Sequence, residues 1–336
     1  MSFAPIITVT LNPAIDRVLR VEHLRLGEHQ LGEELWRVAA GKGLNVSKAL
    51  ARLGVPSIAT GFVGRDNGAY FESLLRLGFE AGGERDLAAR INLQFLEVPG
   101  LTRENVTLID AGDRGETHIR DRGPPIGERD LLRLRRKLDL MSRPGALVIF
   151  GGGLPPGLEP EPFAQMVHVC IHAGAQVVVD SSHSALAAVR DQKLLIVKPN
   201  REELADLLGR APRPGSGQAV AADPDALLSA GRELAERFPY VLISLGADGA
   251  LAFHDNCALR GRVAVDPARV VSTVGCGDCL LAGLVAALAE GEPFERAFAR
   301  ALAVATANVT RGAPADFDPA TVREFLAAAD VQAIEA

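Results

Sequence analysis

The amino-acid sequence predicts an α/β fold: a doubly wound, mostly parallel sheet with helices on both faces, accompanied by a small group of antiparallel strands. Three observations carry that expectation. From about residue 145 onward, short β-branched runs alternate with stretches of helical spacing, the pattern of a parallel sheet covered on both faces. In the first half, two segments alternate like strands with no convincing helix. The chain has 336 residues, 48% hydrophobic and 23% charged, enough to bury a sizeable core as two domains or as one large α/β domain with an elaboration.

Taken in order, residues 6–15 with their continuation to residue 38, and residues 91–122, are the two alternating segments, expected to stand off the main sheet. Residues 43–53 and 68–77 are helical by spacing and flank an apolar strand at 57–63. The basic run 133–137 sits in a helical window with Leu131, Leu134 and Leu138 on another face, which reads as a solvated helix side. Further strands are expected at 146–150, 176–180, 194–197 and 240–244, with helices at 162–173, 201–208 and 224–238 between them. The Pro-, Gly- and Ser-rich stretch 211–218 reads as a surface loop, because the same pattern resumes after it.

With 36 Lys and Arg against 42 Asp and Glu, the net charge of −6 gives no general attraction to nucleic acid or anionic lipid, although small anions can bind locally. Cys170, Cys257, Cys276 and Cys279 are too few for a disulfide framework, and the start Met1-Ser-Phe-Ala-Pro5 lacks the parts of a signal peptide. A cytoplasmic location is therefore expected. The most apolar stretch, residues 279–289, falls short of the ~20 residues that span a bilayer and suits a buried helix.

The most informative segment is Val270-Val-Ser-Thr-Val-Gly-Cys-Gly-Asp-Cys279, which runs straight into that apolar helix. Gly275 and Gly277 let successive amides turn inward at a helix start and form an anion-binding nest. Asp278 on the first turn is either a helix cap or a carboxylate placed to take a hydroxyl proton beside a transferring phosphoryl group. Cys276 and Cys279 also form a C-x-x-C at a helix start, the pattern of thiol oxidoreductases. His168 and His172, four apart with Val169 between, read as a helix surface rather than a zinc site.

Near the start, Leu11-Asn-Pro-Ala-Ile-Asp16 and Ala40-Gly-Lys-Gly-Leu-Asn45 could hold a polyol, with Asp16 and Asn45 on adjacent hydroxyls and Lys42 offering a charge to a phosphate. Asn200 and Glu203 have the spacing of a capping box, and Glu203 could equally orient Mg²⁺ through water. Ser244-Leu-Gly-Ala-Asp-Gly249 is either a hairpin turn or a phosphate-contacting loop.

In this order, Asn12-Pro-Ala-Ile-Asp16, Gly41-Lys-Gly-Leu-Asn45, Thr102-Arg-Glu-Asn-Val106, Lys198-Pro-Asn-Arg-Glu-Glu203, Ser244-Leu-Gly-Ala-Asp-Gly249 and Ser272-Thr-Val-Gly-Cys-Gly-Asp278 resemble the ribokinase-like carbohydrate kinases, nearest to the phosphofructokinase B branch with its 1-phosphofructokinases and tagatose-6-phosphate kinases. The resemblance implies one kinase domain over residues 1–336, with an antiparallel β lid drawn from about 8–40 and 90–123, through which two subunits pair as a homodimer. It implies Asp278 as catalytic base and Gly275, Cys276 and Gly277 as anion hole. Asp16, Gly41 and Asn45 would hold sugar hydroxyls, and Lys42 and Arg103 the phosphate of a sugar phosphate such as fructose 1-phosphate. ATP would meet Lys198, Asn200, Ser244, Gly246 and Gly249, with Asn308 near the adenine, and Glu203 would serve Mg²⁺ through water. Two departures stand out: Cys276 where the family usually has Ala, and Gly151-Gly-Gly153 where it usually has Ser-Gly-Ser.

Overall fold

The computed structural model describes residues 3–80, 84–112, 115–181, 183–209 and 224–334. The loop expected at 211–218 lies outside them. Seven strands run parallel in the main sheet: β1 (Ile6–Thr10), β4 (Ser57–Gly64), β5 (Ile91–Val98), β8 (Leu147–Gly151), β9 (Gln176–Asp180), β10 (Ile196–Val197) and β11 (Tyr240–Ser244). Three antiparallel strands, β12 (Ala250–His254), β13 (Cys257–Val263) and β14 (Ala329–Ala333), extend one edge. The order is β14-β13-β12-β11-β10-β9-β8-β1-β4-β5. From β1 the chain builds outward in one direction through β4 and β5, then returns to β8 and builds the other way. That reversal at β1 and β8 opens a crevice at the carboxyl ends of the strands, where ligands of such sheets bind.

Both faces of the central strands are buried, and the period-2 geometry divides them between two cores. Leu147 and Ile149 of β8 join one core with the helices Lys42–Arg52, Cys276–Ala289 and Phe294–Val309. Val148 and Phe150 join the other with Glu128–Met141, Pro160–His172 and Pro224–Ala235. Each fully buried Val, Leu, Ile or Phe contributes about 1.5–3 kcal/mol by leaving water. Cys276–Ala289 is buried almost all round. It approaches Phe294–Val309 so closely that a β-carbon on Gly283 would lie 2.8 Å from the Ala301 Cα.

The second sheet comprises β2 (Ala14–Val21), β3 (Glu33–Ala40), β6 (Arg103–Asp110) and β7 (Glu116–Ile119), in the order β3-β2-β6-β7. Two sequence expectations are corrected here. β1 belongs to the middle of the main sheet: its threonines imitate a half-exposed strand, but Thr8 and Thr10 are buried, and Thr8 shares a 2.8 Å hydrogen bond with Ser47. β5 is the edge of the main sheet, parallel to β4, and its alternation reflects one open side. The second sheet is also mixed, since β2 runs parallel to β6. The expected helix at 201–208 contracts to the single turn Leu204–Leu207, and the strand at 194–197 to β10. Trp36 on β3 packs against the main body, its Nε1 3.2 Å from where a β-carbon on Gly312 would stand.

Gly61 on β4 pairs with Thr10 on β1 at φ +134°, and any β-carbon there would collide with the Thr10 carbonyl. Replacing Gly61 with Ala should cost at least about 2 kcal/mol, seen as a lower urea midpoint at unchanged m-value.

Candidate active site

Two helices begin at the crevice with glycine at the N-cap and no side-chain cap. Lys42–Arg52 starts from Gly41 at φ 135°, and Cys276–Ala289 starts from Gly275 at φ 81°. The uncapped first turns direct partial positive charge into the cleft, the arrangement that binds anions. Glycines permit this proximity. A β-carbon on Gly151 would lie 2.5 Å from the Gly43 N, and one on Gly275 would lie 2.8 Å from the Pro314 Cβ.

Asn45, one turn into the first helix, donates Nδ2 to Oδ2 of Asp278 on the second at 2.8 Å. Asp278 is 5% exposed, and burial together with the like charge of Asp180 pushes its pKa up to about 6, against the opposing pull of Lys42, Asn45 and Lys198. Asp180, 1% exposed at the end of β9, lies 3.1 Å from the Lys42 Nζ and 3.3 Å from the Lys198 Nζ. Burial alone would raise the Asp180 pKa, but Lys198 and Lys42 outweigh it and hold the carboxyl ionised below its usual range. Burial likewise works against the charge of Lys42, and Asp180, Asp278 and Glu203 outweigh it and raise its pKa. Asp278 on the cleft wall and Asp180, buried against the two lysines, are thus driven apart in acidity, one poised near neutrality and the other firmly ionised.

One cleft of about 790 Å³ gathers most of the residues singled out in the sequence: Asp16, Gly41, Lys42, Asn45, Arg103, Lys198, Asn200, Glu203, Ser244, Gly275, Gly277 and Asp278. Asp16 accepts from the Asn105 Nδ2 at 2.8 Å, and burial raises its pKa. Arg103 donates Nε to the Pro13 carbonyl, Nη1 to that of Asp121 and Nη2 to that of Asn12, at 3.3, 3.1 and 3.0 Å. Asn200 and Glu203 form a reciprocal capping box: Asn200 Oδ1 accepts from the Glu203 N at 2.8 Å and Glu203 Oε2 from the Asn200 N at 3.0 Å. Glu203 is nonetheless buried on the cleft wall, so the carboxylate that closes the capping box also borders the cleft. A bridge from Asn200 to Ser244 ties the two segments together.

Four of the expected site residues lie outside the cleft lining, Cys276 between two glycines that do line it. Gly246 and Gly249 form the hairpin turn between β11 and β12, outside the cleft lining, with Gly246 exposed. Asn308 is fully buried: it donates Nδ2 to the Val274 carbonyl at 2.9 Å and to the Cys276 Sγ at 3.4 Å, and its Oδ1 accepts from the Ala315 N at 2.7 Å. Its part is to brace the nest from behind. Burial raises the pKa of Cys276 and drives that of Cys279 well up, which works against the stabilised thiolate that a redox pair needs. Asp180 was not singled out in the sequence, nor was the support that Asn105 gives Asp16. The one signal for Asp180 was an acid ending an apolar strand in a doubly wound sheet.

The match to a model of the pfkB family of carbohydrate kinases spans residues 7–321. The chain belongs to that family. Curated relatives are 1-phosphofructokinases of Xanthomonas campestris, 33% identical over 98% of both chains, and Bacillus subtilis, 31% identical over 87% of this chain and 88% of that one. Phosphofructokinase-2 from Escherichia coli, solved with substrates and products, shares the fold at TM-score 0.83 and 24% identity, over 96% of this chain and 99% of that one. The chain is therefore a sugar kinase, a phosphotransferase with an alcohol group as acceptor. Among the described residues, no helix is long and apolar enough to cross a membrane.

Two outcomes follow for this kinase. In the role of base that the resemblance implies for Asp278 the carboxylate works ionised, so with its pKa near 6, kcat should be flat at pH 7–8 and fall about tenfold per unit below about pH 6. Replacing Cys279 with Ala breaks the C-x-x-C pair while leaving the backbone nest, so kcat should stay within about tenfold of wild type in a steady-state assay.

Proposed function

We propose that the chain is an ATP-dependent 1-phosphofructokinase that phosphorylates D-fructose 1-phosphate at C6, giving fructose 1,6-bisphosphate. The observation that carries this reading is the buried Asp278, with its raised pKa, at an uncapped helix start. The names of the curated relatives support the choice of substrate. Asp16, held by Asn105, together with Gly41 and Asn45, would bind the sugar hydroxyls and leave the reacting one against Asp278. Asp278 takes that hydroxyl proton as the oxygen attacks the terminal phosphoryl group of ATP, whose bond to the bridging oxygen breaks so that ADP leaves with the electron pair. The amides of Gly275, Cys276 and Gly277, with Lys42 and Lys198, then stabilise the charge on the transferring group.

Lys198, Asn200 and Ser244 would face the ATP phosphates, with the Gly246 and Gly249 turn shaping that end. The donor set suits Mg²⁺, which keeps several waters and takes few carboxylates: Glu203 is buried on the cleft wall, and Oδ2 of Asp180 has no partner. Bound there with ATP, Mg²⁺ would neutralise phosphate charge. The whole of residues 1–336 acts as one kinase domain in this reading, in the cytoplasm, with the second sheet as its lid. Leu35 and Ile119, 41% and 56% exposed on that sheet and both lining the cleft, supply an apolar face on which a second copy would dock as a homodimer.

A coupled assay of ADP release tests the substrate. Fructose 1-phosphate should give the highest kcat/KM, above fructose 6-phosphate and tagatose 6-phosphate, and preference for an unphosphorylated sugar would reject the reading. Asp278→Asn keeps the size and hydrogen bonding of the side chain but removes the base. It should lower kcat about 10²- to 10⁴-fold with the KM for ATP little changed, whereas loss of a mere cap would cost about 1 kcal/mol of stability and little turnover.

A further inference from the structure

Four Lys and Arg side chains line the cleft, and three of them are committed before any ligand arrives. Lys42 and Lys198 both lie on Asp180. Arg103 spends a nitrogen each on the carbonyls of Pro13, Asp121 and Asn12. Arg120 is different. It is exposed on the cleft wall, and among the described residues no hydrogen bond or ion pair reaches its guanidinium.

Its backbone, by contrast, is fastened. Arg120 follows the edge strand β7, and the next two residues are pinned to the turn after β1: Arg103 Nη1 holds the Asp121 carbonyl at 3.1 Å, and Asn12 Nδ2 donates to the Arg122 carbonyl at 3.1 Å. A free guanidinium on a fixed anchor is thereby kept close enough for its charge to act on both Asp16 and Arg103. Two neighbouring guanidinium groups repel each other, and an anion received between them relieves that repulsion. On the same cleft, Gly151-Gly-Gly153 offers no hydroxyl, and the Cβ position of Gly153 meets nothing within 4 Å, so this wall supplies space and backbone but no side chain for an anion.

We propose that Arg120 selects an acceptor that already carries a phosphate, closing on that phosphate beside Arg103 as a charge-assisted, bidentate partner. This rests on the sugar-phosphate reading above. It places the recognition of the acceptor's charge just after the edge strand β7, on a side chain other than the lysines that serve Asp180. Arg120 makes no contact that the fold needs, so its variants should fold normally.

Steady-state kinetics of wild type, Arg120→Gln and Arg120→Lys on fructose 1-phosphate and on free fructose provide the test, with inorganic phosphate as a competitive probe of the anion subsite. Arg120→Gln should raise the KM for fructose 1-phosphate about 10- to 100-fold, the range of a charge-assisted hydrogen bond, with the loss falling on KM rather than kcat. Inhibition by phosphate should weaken in parallel, kinetics on free fructose should not change, and Arg120→Lys should restore part of the affinity without the bidentate geometry. A KM within twofold of wild type, in an enzyme that does prefer the phosphorylated sugar, would overturn the role of Arg120 alone. A wild-type enzyme that prefers free fructose would overturn the sugar-phosphate reading and this inference together.

Discussion

The structure depends on keeping two carboxylates, Asp278 and Asp180, buried within one field of charge. Neither could stay ionised in such surroundings unaided, since desolvation favours the neutral acid. Lys42 and Lys198 resolve the conflict by siding with Asp180, to which both are bound. Among the described residues, Asp278 is left with the side-chain hydrogen bond from Asn45 and the more distant influence of the lysines, and so keeps a proton affinity that Asp180 has lost. The asymmetry between the two acids follows from which of them the ammonium groups touch.

That arrangement constrains the backbone. Asp180 ends β9, Lys198 follows β10, Lys42 opens a helix packed on β1 and β8, and Asp278 opens another. All four must meet at the strand ends, which requires helix starts to lie almost on the strands, and the contact of Gly151 with Gly43 shows how little room is left. Asn308 completes the scaffold from the far side by tying Val274, Cys276 and Ala315 to one buried amide.

Much of this was legible in the sequence wherever a residue's pattern and its surroundings agree. Gln176–Asp180 and Tyr240–Ser244 are apolar runs in a sheet buried on both faces, and their bounds match the expectation. β1 misled because buried threonines satisfy their hydroxyls within the core, so polarity at alternate positions did not mean exposure. β5 misled because an edge strand of the main sheet alternates just as a strand of a free-standing sheet would. In the site, glycine-bracketed motifs announced the two helix starts, since close approach and positive φ have few other solutions. Asp180 carries no such bracket, and its meaning comes from two lysines 138 and 18 residues away along the chain. Arg120 is equally silent, because a lone arginine after a strand acquires a role only when its neighbours' charges are seen to be spent.

The contact between Trp36 and Gly312 gives the molecule an optical property of its own. Trp36 is the only tryptophan in the chain, and it stands on the second sheet with its indole nitrogen against a glycine of the main body. The emission of the whole protein above the tyrosine band therefore originates at the seam between the second sheet and the loop after the helix Phe294–Val309, on the cleft wall. Any approach, separation or hydration of that seam alters the polarity around one fluorophore, with no second indole to dilute the signal. The position of the second sheet against that loop can thus be followed in the unlabelled protein, in real time and without touching a residue of the cleft's charge network.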